Sequence, residues 1–382
     1  MQINKKWIFL TILLLTTILL VLFFGFLRSD LIGSEKTKEI INKTELEDNQ
    51  NVYSKKSPNT TLRSLAEAKG IEVGAAVLMK PFYEDPTYQD ILAREFNSLT
   101  PENAMKFRRM HPKPDLYNFT NANALVTFAQ EHQMQVHGHT LVWHKNLPGW
   151  LTEGRWTTEE LTDILRRHIY TVVGQFRGEI ATWDVVNEAV ESDGSLRKTI
   201  WLEGIGPEYI EMAFRWAREA EPQAQLFYND YGGEGLGRKS NAIYELVKNL
   251  RQSNVPLDGV GFQMHTSINK PPNPEKVAAN IKRLGELGLE VRITEMDVKI
   301  HDGEGTTTEK LAAQAEVYRD VLRVCLDAPN CKALTTWGVS DNYSWIPDYF
   351  DRPDLPLLFD KSYRPKPGYD ALVEELQVTS NE

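Results

Sequence analysis

The stretch Thr182-Trp183-Asp184-Val185-Val186-Asn187-Glu188 is a β-branched, largely apolar run that ends in an amide and a carboxylic acid. Val185 and Val186 favour a strand. Asn187 and Glu188 at its exit are poor residues to bury unless other groups pair with them. A carboxylic acid at the mouth of a strand is a candidate acid or base.

The same pattern of an apolar run followed by polar residues recurs along the chain. Strands are predicted at Ile71–Leu78, Phe96–Leu99, Val136–Val142, Ile180–Val186, Gln225–Tyr228, Gly259–Met264, Leu289–Thr294 and Ala333–Trp337. Helices are predicted between most of them, at Ala122–Glu131, Thr158–Phe176, Pro207–Ala220, Arg238–Ser253, Pro274–Leu287 and Glu309–Leu326. Eight strands alternating with helices predict an α/β fold, a single-domain (β/α)₈ TIM barrel, rather than a doubly wound sheet, which would rarely need eight units.

Composition limits the kind of partner. The chain has 382 residues and 41% hydrophobic content, enough for one large barrel with a sizeable core. Its formal net charge is -10, with no block of Lys or Arg in the body of the chain. This balance argues against nucleic acid as a partner and suits neutral or cationic ligands better.

Residues 1–28 are predicted to be a signal anchor or a signal peptide. The run Trp7–Leu27 carries no charge and, at about 20 residues, can cross a hydrocarbon core. Lys5 and Lys6 precede it, which favours a cytoplasmic N-terminus. The run is long for a cleaved signal, so an uncleaved membrane anchor is the hypothesis and cleaved secretion the alternative. The expected location is extracellular, or anchored to the outer face of the cytoplasmic membrane.

The remaining boundaries follow from composition. Residues 29–61 are rich in Lys, Glu, Asn and Thr and are predicted to form a disordered linker, because they cannot bury enough surface to fold alone. The barrel is expected at residues 62–376 and a C-terminal tail at 377–382.

Cys325 and Cys331 are the two cysteines; outside the cell a disulfide between them is expected, and two buried free thiols are the alternative.

In a TIM barrel the working residues lie where strands exit into loops. Polar or aromatic residues follow seven consecutive predicted strands, in chain order Glu102, Asn103 and Lys106; His139, Trp143 and His144; Asn187 and Glu188; Asn229, Asp230 and Tyr231; Gln263 and His265; Glu295 and Asp297; Trp337 and Trp345. Seven consecutive exits of this kind predict a single pocket.

Two acids in this pocket, Glu188 and Glu295, suit glycosidic bond cleavage. One acid must be protonated to release the leaving oxygen, and the other must be ionised to attack or to direct water. A separation of about 5–5.5 Å gives retention of configuration and about 6.5–9.5 Å gives inversion. The chain has nine tryptophans, and those at loop starts, Trp143, Trp337 and Trp345, offer flat faces for the sugar rings of a polymer.

Several motifs carry a family resemblance. They are Gly138–His144, Trp183–Ala189, Ile293–Asp297, Thr335–Asp341 and Ser344-Trp345. Together they resemble glycoside hydrolase family 10, the endo-β-1,4-xylanases, in the family's order over about Leu62–Leu376. The resemblance implies hydrolysis of internal β-1,4-xylosidic bonds of xylan, with retention of configuration, by a two-glutamate double displacement without a cofactor or metal.

The resemblance also implies a role for each matching position. Glu188 matches the acid/base and Glu295 the nucleophile. His265 and Asp297 resemble the pair that keeps the nucleophile ionised and oriented. The implied substrate-binding residues, with Asn187 on the 2-hydroxyl and Tyr231 on the leaving-group side, are Glu102, Asn103, Lys106, His139, Trp143, Asn187, Tyr231, Gln263, His265, Trp337 and Trp345.

Physical chemistry adds two expectations about the acids. Glu295 needs hydrogen-bond donors to stay ionised, and His265 and Gln263 are predicted to supply them. The charge of Glu295 is expected to raise the pKa of Glu188 so that it holds a proton. That charge disappears once the glycosyl-enzyme forms, and Glu188 then turns base.

Departures from the family pattern are few. Asn146 stands where a glutamine is usual, His137 where an arginine is expected, and Gly232-Gly233 where an asparagine is common. These departures concern affinity on the leaving-group side rather than the reaction.

Three rival interpretations remain. His137 and His139 place two imidazoles on one face of a strand, as in metallohydrolases, although no carboxylate-rich set completes a metal site. The barrel could bind xylan without cutting it, and within enzymes a β-1,4-glucanase or mannanase is the nearer alternative. Most lone histidines, such as His111, His132 and His168, are predicted to be surface or capping residues. The expected partner is xylan or a xylo-oligosaccharide, and the chain is expected to be a monomer.

Overall fold

The computed structural model of the protein describes residues 60–378. The predicted signal segment, nearly all of the predicted linker and most of the predicted tail lie outside the described residues. Within residues 60–378, no helix combines the length and apolar character needed to cross a membrane.

Parallel strands form the centre of the described region. They are β1 (Glu72–Val77), β2 (Ser98–Pro101), β3 (Gln135–Gly138), β4 (Thr182–Asn187), β5 (Gln225–Asp230), β6 (Gly259–Phe262), β7 (His265–Ser267), β8 (Glu290–Lys299) and β9 (Cys331–Thr336). Each of β1 to β5 pairs with the next strand, β6 pairs with β8, β8 with β9, and β9 with β1. These eight strands close a barrel, so the predicted TIM barrel is confirmed, while β7 extends the sixth barrel strand along the end of β8.

Helices alternate with the strands along the chain. They are α1 (Leu62–Lys69), α2 (Met79–Glu84), α3 (Pro86–Glu95), α4 (Phe107–Met110), α5 (Thr120–Glu131), α6 (Gly149–Thr152), α7 (Thr158–Gln175), α8 (Ile200–Gly204), α9 (Tyr209–Ala220), α10 (Arg238–Gln252), α11 (Pro274–Gly285), α12 (Thr307–Asp327), α13 (Ile346–Phe350) and α14 (Pro367–Gln377), with a 3₁₀ turn at Asp341–Tyr343. The six predicted helices correspond to α5, α7, α9, α10, α11 and α12. The other eight helices were not predicted; each has 11 residues or fewer, and α3 and α14 begin at a proline that interrupts the apolar period.

The third strand is shorter than predicted. β3 ends at Gly138 rather than at Val142. The chain beyond it still follows β4, because Leu141 N donates to Asp184 O at 3.0 Å and Val142 N to Val185 O at 3.0 Å. Gly138 lies against the indole of Trp183, where a Cβ would collide with the ring. β3 thus ends directly before His139, which starts the exit loop.

The two cysteines lie at the end of the barrel opposite to the strand exits. Cys325 in α12 and Cys331, the first residue of β9, are joined by a disulfide with their Cα atoms 5.1 Å apart. Both residues are buried. The structure thus shows the bridge that the sequence favoured over free thiols, at a position remote from the strand exits.

Two of the three histidines His111, His132 and His168 are buried, so a surface position was wrong for them, whereas His111 and His132 are the C-terminal caps of α4 and α5, as the capping alternative expected. His168 on α7 and His111 after α4 are buried, whereas His132 is exposed. The ring of Phe107 lies stacked 3.7 Å from His168 and 5.3 Å from His111, between centroids. A neutral imidazole packs like a small aromatic ring, and burial accordingly lowers the pKa of both histidines, that of His168 well below its ordinary value.

Substituting His168 is therefore expected to reduce the sensitivity of the fold to acid. In the wild type the unfolded chain binds a proton at His168 below about pH 6.5 while the folded chain does not, which costs up to about 1.4 kcal/mol of stability per pH unit. In His168→Phe the loss of unfolding free energy between pH 7 and pH 5, measured by urea titration, should be smaller than in the wild type. His132→Gln, at the exposed histidine, should keep the wild-type loss. An equal loss in His168→Phe and wild type would contradict this account.

Candidate active site

The predicted site residues gather at one end of the barrel. They follow the carboxyl-terminal ends of β2 to β6 and β9, or lie on the part of β8 that runs past its pairing with β6, which ends at Ile293. Glu295 and Asp297 occupy that projecting part of β8, beside β7. The residues predicted at strand exits thus lie at one end of the barrel.

Glu188 directly follows β4 and has a left-handed backbone conformation, with φ of 57°. This conformation costs a non-glycine residue roughly 1–3 kcal/mol, so surrounding contacts must hold it. Glu188 N donates to Asn229 O at 2.9 Å, and Arg197 Nε donates to Glu188 O at 2.7 Å. The backbone of Glu188 is therefore fixed on both sides, and its carboxyl group is directed by the fold.

Arg197 also connects this backbone to Tyr231. Arg197 Nη2 donates to the Tyr231 hydroxyl at 3.1 Å, and Arg197 Nη1 lies 2.9 Å from Glu191 Oε1. The ammonium of Lys239 lies 3.6 Å from the centroid of the Tyr231 ring and 2.7 Å from Asp230 Oδ1. The predicted leaving-group-side aromatic is thus held beside Glu188 by two cations, neither of which the sequence had indicated.

The carboxyl group of Glu188 is buried among donors. Gln263 Nε2 donates to Glu188 Oε1 at 3.2 Å, and His144 Nδ1 lies 3.9 Å from Oε2. Burial raises the pKa of Glu188, but hydrogen bonds from Trp143 and Gln263 and the charge of Lys145 outweigh it and bring the pKa below its ordinary value. The expected rise in the pKa of Glu188 is therefore wrong. Burial also lowers the pKa of His144 to about 4, so this ring is neutral near pH 7.

Glu295 is buried and is contacted by one predicted donor, His265, and by one that was not predicted, Asn229. Asn229 Nδ2 donates to Glu295 Oε1 at 2.7 Å, and His265 Nε2 lies 3.3 Å from Oε2. Thr294 Oγ1 donates to Asn229 Oδ1 at 2.7 Å and so orients that amide. Gln263, predicted to donate to Glu295, instead accepts from the Glu295 backbone and directs its side chain to Glu188. Asn229 was noted only as a polar strand exit, which was the one signal for its role.

The ring of His265 lies between two carboxylates. Its Nδ1 lies 2.8 Å from Asp297 Oδ2 and its Nε2 lies beside Glu295. Burial lowers the pKa of His265, but the charges and hydrogen bonds of Asp297 and Glu295 outweigh it and raise the pKa to about 10. Both ring N–H groups are therefore donors near neutral pH. Trp345 Nε1 donates to the same Asp297 oxygen at 2.8 Å, which ties the tryptophan to this group.

A set of amides links the two acids. Asn229 Nδ2 lies 3.0 Å and Gln263 Nε2 lies 3.1 Å from Asn187 Oδ1. The same two groups contact Glu295 and Glu188 respectively, so one hydrogen-bonded network joins both carboxylates through Asn187. With its amide turned over, Asn187 accepts from Trp143 Nε1 at 3.2 Å and still bonds Asn229. In either orientation the amide of Asn187 is held next to both acids.

The residues after β2 form a polar wall beside the tryptophans. Asn103 Nδ2 donates to Glu102 Oε1 at 2.9 Å, and Lys106 Nζ donates to Asn103 Oδ1 at 3.1 Å. Lys106 Nζ also lies 4.9 Å from the centroid of the Trp143 ring and 5.9 Å from that of Trp337. Burial raises the pKa of Glu102 and lowers that of Lys106. The wall combines donors, acceptors and ring faces, which is what a hydroxyl-rich ligand requires.

His137 and His139 share one carboxylate. His139 Nδ1 lies 2.8 Å from Asp184 Oδ2 and His137 Nε2 lies 2.9 Å from Asp184 Oδ1. Burial raises the pKa of Asp184, but the two imidazoles outweigh it and lower the pKa to about 2. Across residues 60–378, no group of three or more His, Cys, Asp or Glu side chains is arranged to hold a metal ion. The two histidines of the His-x-His pattern instead contact the buried carboxylate of Asp184, which orients His139.

Comparison with known proteins shows the same similarity in sequence and in structure. The sequence model of Glycosyl hydrolase family 10 matches residues 61–375. Endo-1,4-beta-xylanase B of Thermotoga neapolitana is 48% identical over 324 residues, which covers 84% of this chain and 93% of the relative. Native xylanase 10B from Thermotoga maritima superposes with a TM-score of 0.81 at 48% identity, over 83% of this chain and 98% of that chain. Xylanase 10B from Thermotoga petrophila, solved in complex with xylobiose, gives a TM-score of 0.82 at 47% identity, over 84% and 98%.

Proposed function

This chain belongs to glycosyl hydrolase family 10, and we propose that it is an endo-1,4-β-xylanase that hydrolyses internal bonds of xylan with retention of configuration. One observation supports this most: two buried glutamates at strand exits, Glu188 and Glu295, are joined by one hydrogen-bonded network and bordered by tryptophans. The substrate is xylan or a xylo-oligosaccharide, and the reaction needs no cofactor.

In the first step Glu295 acts as the nucleophile. Its carboxylate forms a bond to the anomeric carbon while the glycosidic bond breaks, and Glu188 gives its proton to the departing oxygen. Asn229 and His265 contact the two oxygens of the Glu295 carboxylate and fix its direction. The product of this step is a glycosyl-enzyme ester and a shortened chain with a free end.

Glu188 must hold a proton in this step, although its pKa lies below its ordinary value. Burial is the one influence that raises the pKa, and a sugar in the cleft strengthens it by excluding water. A glycosidic oxygen facing Glu188 also bonds to its protonated form, which favours that form further. Substrate binding and protonation of Glu188 therefore support each other.

In the second step Glu188 acts as a base. Formation of the ester removes the charge of Glu295, and the donors Trp143 and Gln263 stabilise the Glu188 carboxylate. Glu188 takes a proton from water, the water oxygen attacks the anomeric carbon, and Glu295 leaves as a carboxylate. Two inversions at one carbon give net retention.

The other proposed site residues bind and orient the sugar. Asn187, held between the two acids, is placed to bond the 2-hydroxyl of the reacting sugar, and Tyr231 borders the leaving-group side. The polar and aromatic wall consists of Glu102, Asn103, Lys106, His139, Trp143, Gln263, His265, Trp337 and Trp345. His265 and Asp297 additionally support the nucleophile.

Replacing Asp297 with asparagine is expected to move the alkaline limb of the pH profile to lower pH. Asp297 is the main group that raises the pKa of His265 to about 10, so its loss lets His265 deprotonate closer to neutrality. Once neutral, His265 no longer supports Glu295 as a cation. The measurement is kcat/KM against pH together with NMR titration of His265. Asp302→Asn, at an exposed aspartate shortly after β8, should keep the wild-type limb, and an unshifted limb in Asp297→Asn would contradict the proposed support role.

The substrate assignment is tested by comparing rates of the full chain on xylan, carboxymethylcellulose and mannan. The proposal expects release of reducing ends from xylan at a much higher rate than from the other two. Binding to xylan without release of reducing ends would favour the binding-protein alternative. A higher rate on carboxymethylcellulose or mannan would favour the glucanase or mannanase alternative.

We also propose that the N-terminal segment anchors the enzyme at the outer face of the membrane. The uncharged run Trp7–Leu27 behind Lys5 and Lys6 supports this, and those residues lie outside the described part. N-terminal sequencing of the mature protein from membrane and medium fractions tests it: an intact start in the membrane fraction is expected. A start beyond residue 28 in the medium would instead show cleavage and secretion.

A monomer is proposed because one chain supplies every residue of the described site. Light scattering on the purified protein tests this, with the mass of a single 43.7 kDa chain expected. A stable dimer mass would overturn it.

A further inference from the structure

Two consecutive aromatic side chains are exposed next to the candidate site. Tyr349 is 69% exposed and Phe350 is 40% exposed. Among the described residues, no other neighbours in sequence are both large, hydrophobic and exposed to this degree. We call Tyr349 and Phe350 the exposed aromatic pair. Contiguous exposed apolar surface of this kind commonly marks a binding site.

The exposed aromatic pair is continuous with the site through Trp345. The Tyr349 ring lies 4.9 Å from the Trp345 ring, and the Phe350 ring lies 4.9 Å from that of Tyr349, between centroids. Trp345 itself is bonded to Asp297 and lies 5.2 Å from the His265 ring. The rings of Trp345, Tyr349 and Phe350 therefore form a row that leads from His265 and Asp297 outward to solvent.

The segment that carries the pair is held in place. Ile346 is buried, Tyr349 N donates to Trp345 O at 3.0 Å, and Arg352 N donates to Pro347 O at 3.0 Å. A fixed backbone lowers the entropy that binding would otherwise cost.

Polar groups border the pair. Lys299 Nζ lies 5.2 Å from the centroid of the Phe350 ring. The centroids of the His301 and Phe350 rings are also 5.2 Å apart. The Tyr349 hydroxyl makes no hydrogen bond to any described residue, which leaves it available to a ligand. Ring faces with adjacent hydrogen-bonding groups suit the C–H faces and hydroxyls of a sugar.

We propose that the exposed aromatic pair binds xylosyl residues of the substrate chain beyond those at Trp345, and so favours polymeric xylan over short oligosaccharides. This rests on the proposed function and names a further part of its binding site. Two side chains of about 150–250 Å² each fall well short of the roughly 800 Å² that each partner contributes to a stable protein interface. A polysaccharide chain already held in the cleft needs only such a small additional contact.

The test compares two substrates in the full-length protein. Tyr349→Ala and the double variant Tyr349→Ala, Phe350→Ala are assayed on polymeric xylan and on an aryl β-xylobioside, which carries only two sugar residues. An aromatic contact worth about 0.5–1.5 kcal/mol corresponds to roughly 2- to 13-fold. The expected result is a loss of kcat/KM in that range on xylan, mainly through KM, with less than 2-fold change on the short substrate. Tyr170→Ala, at an exposed tyrosine of α7 on the outside of the barrel, should change neither rate.

The outcomes separate this proposal from the proposed function. Unchanged kcat/KM on xylan in the double variant, or equal loss on both substrates, overturns the role of the pair while leaving the xylanase activity in place. A change of oligomeric mass in the double variant with unchanged rates also overturns it and assigns the pair to a contact between copies. If the wild type releases nothing from either substrate, the proposed function itself fails.

Discussion

Replacing Glu295 with alanine is expected to lower kcat/KM on xylan by about 10⁴-fold or more, in the range that removal of a covalent nucleophile costs. The carboxylate that forms the glycosyl-enzyme is lost, while the sugar-binding wall and Glu188 remain. The measurement is steady-state hydrolysis of xylan and of an activated aryl xylobioside, both of which should lose turnover.

Two further observations make the Glu295 prediction specific. Azide, added as an external nucleophile, should restore cleavage of the activated substrate in Glu295→Ala and give the α-glycosyl azide, because one inversion replaces two. Glu290→Ala, at the opposite end of the same strand β8, should retain near wild-type activity. Retained activity in Glu295→Ala, or a β-azide product, would contradict the role of nucleophile.

Replacing Glu188 with alanine is expected to separate substrates by their leaving group. Loss of general acid catalysis costs about 10²- to 10⁴-fold on xylan, whose leaving alcohol needs a proton. A dinitrophenyl xylobioside needs no such proton, so its glycosylation step, observed as a burst of dinitrophenol, should remain fast while deglycosylation becomes slow. Azide should accelerate this second step and give the β-glycosyl azide.

The control for Glu188 is the exposed Glu203 on α8, whose replacement by alanine should leave both substrates at wild-type rates. An equal loss on xylan and on the activated substrate in the glycosylation step would contradict the acid role. In that case Glu188 would serve binding or structure instead.

The barrel and the place of the site could be predicted from sequence because both follow from local patterns. Apolar runs such as Ile180–Val186 define strands, and parallel strands in a closed barrel bring their exits together. The positions of Glu188 and Glu295 followed directly from that geometry. The helices α3 and α14 were not predicted, because a short helix that begins with proline shows little apolar periodicity.

The partners of the acids could not be predicted, because they depend on side-chain direction. Gln263 was expected to donate a hydrogen bond to Glu295 but donates one to Glu188. Asn229 donates the hydrogen bond to Glu295 instead. A shift of a few ångströms between neighbouring strand exits decides which amide meets which acid. Sequence fixes the residue types at the exits but not these pairings.

The pKa of Glu188 could not be predicted from sequence either. The charge of Glu295 suggested a raised pKa, yet the hydrogen bonds from Trp143 and Gln263 help to lower it. His111 and His168 give a parallel case, since isolated histidines in a sequence do not reveal that they stack on Phe107 in the interior. Burial and donor count are properties of the folded chain.

The most direct test of the central claim is to trap the intermediate. A 2-deoxy-2-fluoro-β-xylobioside with an activated leaving group slows both steps, and the second more, so that the glycosyl-enzyme accumulates. After proteolysis, mass spectrometry should find one label per chain, on the peptide that carries Glu295. Label on any other residue, or release of the leaving group without a covalent adduct, would contradict the double displacement proposed here.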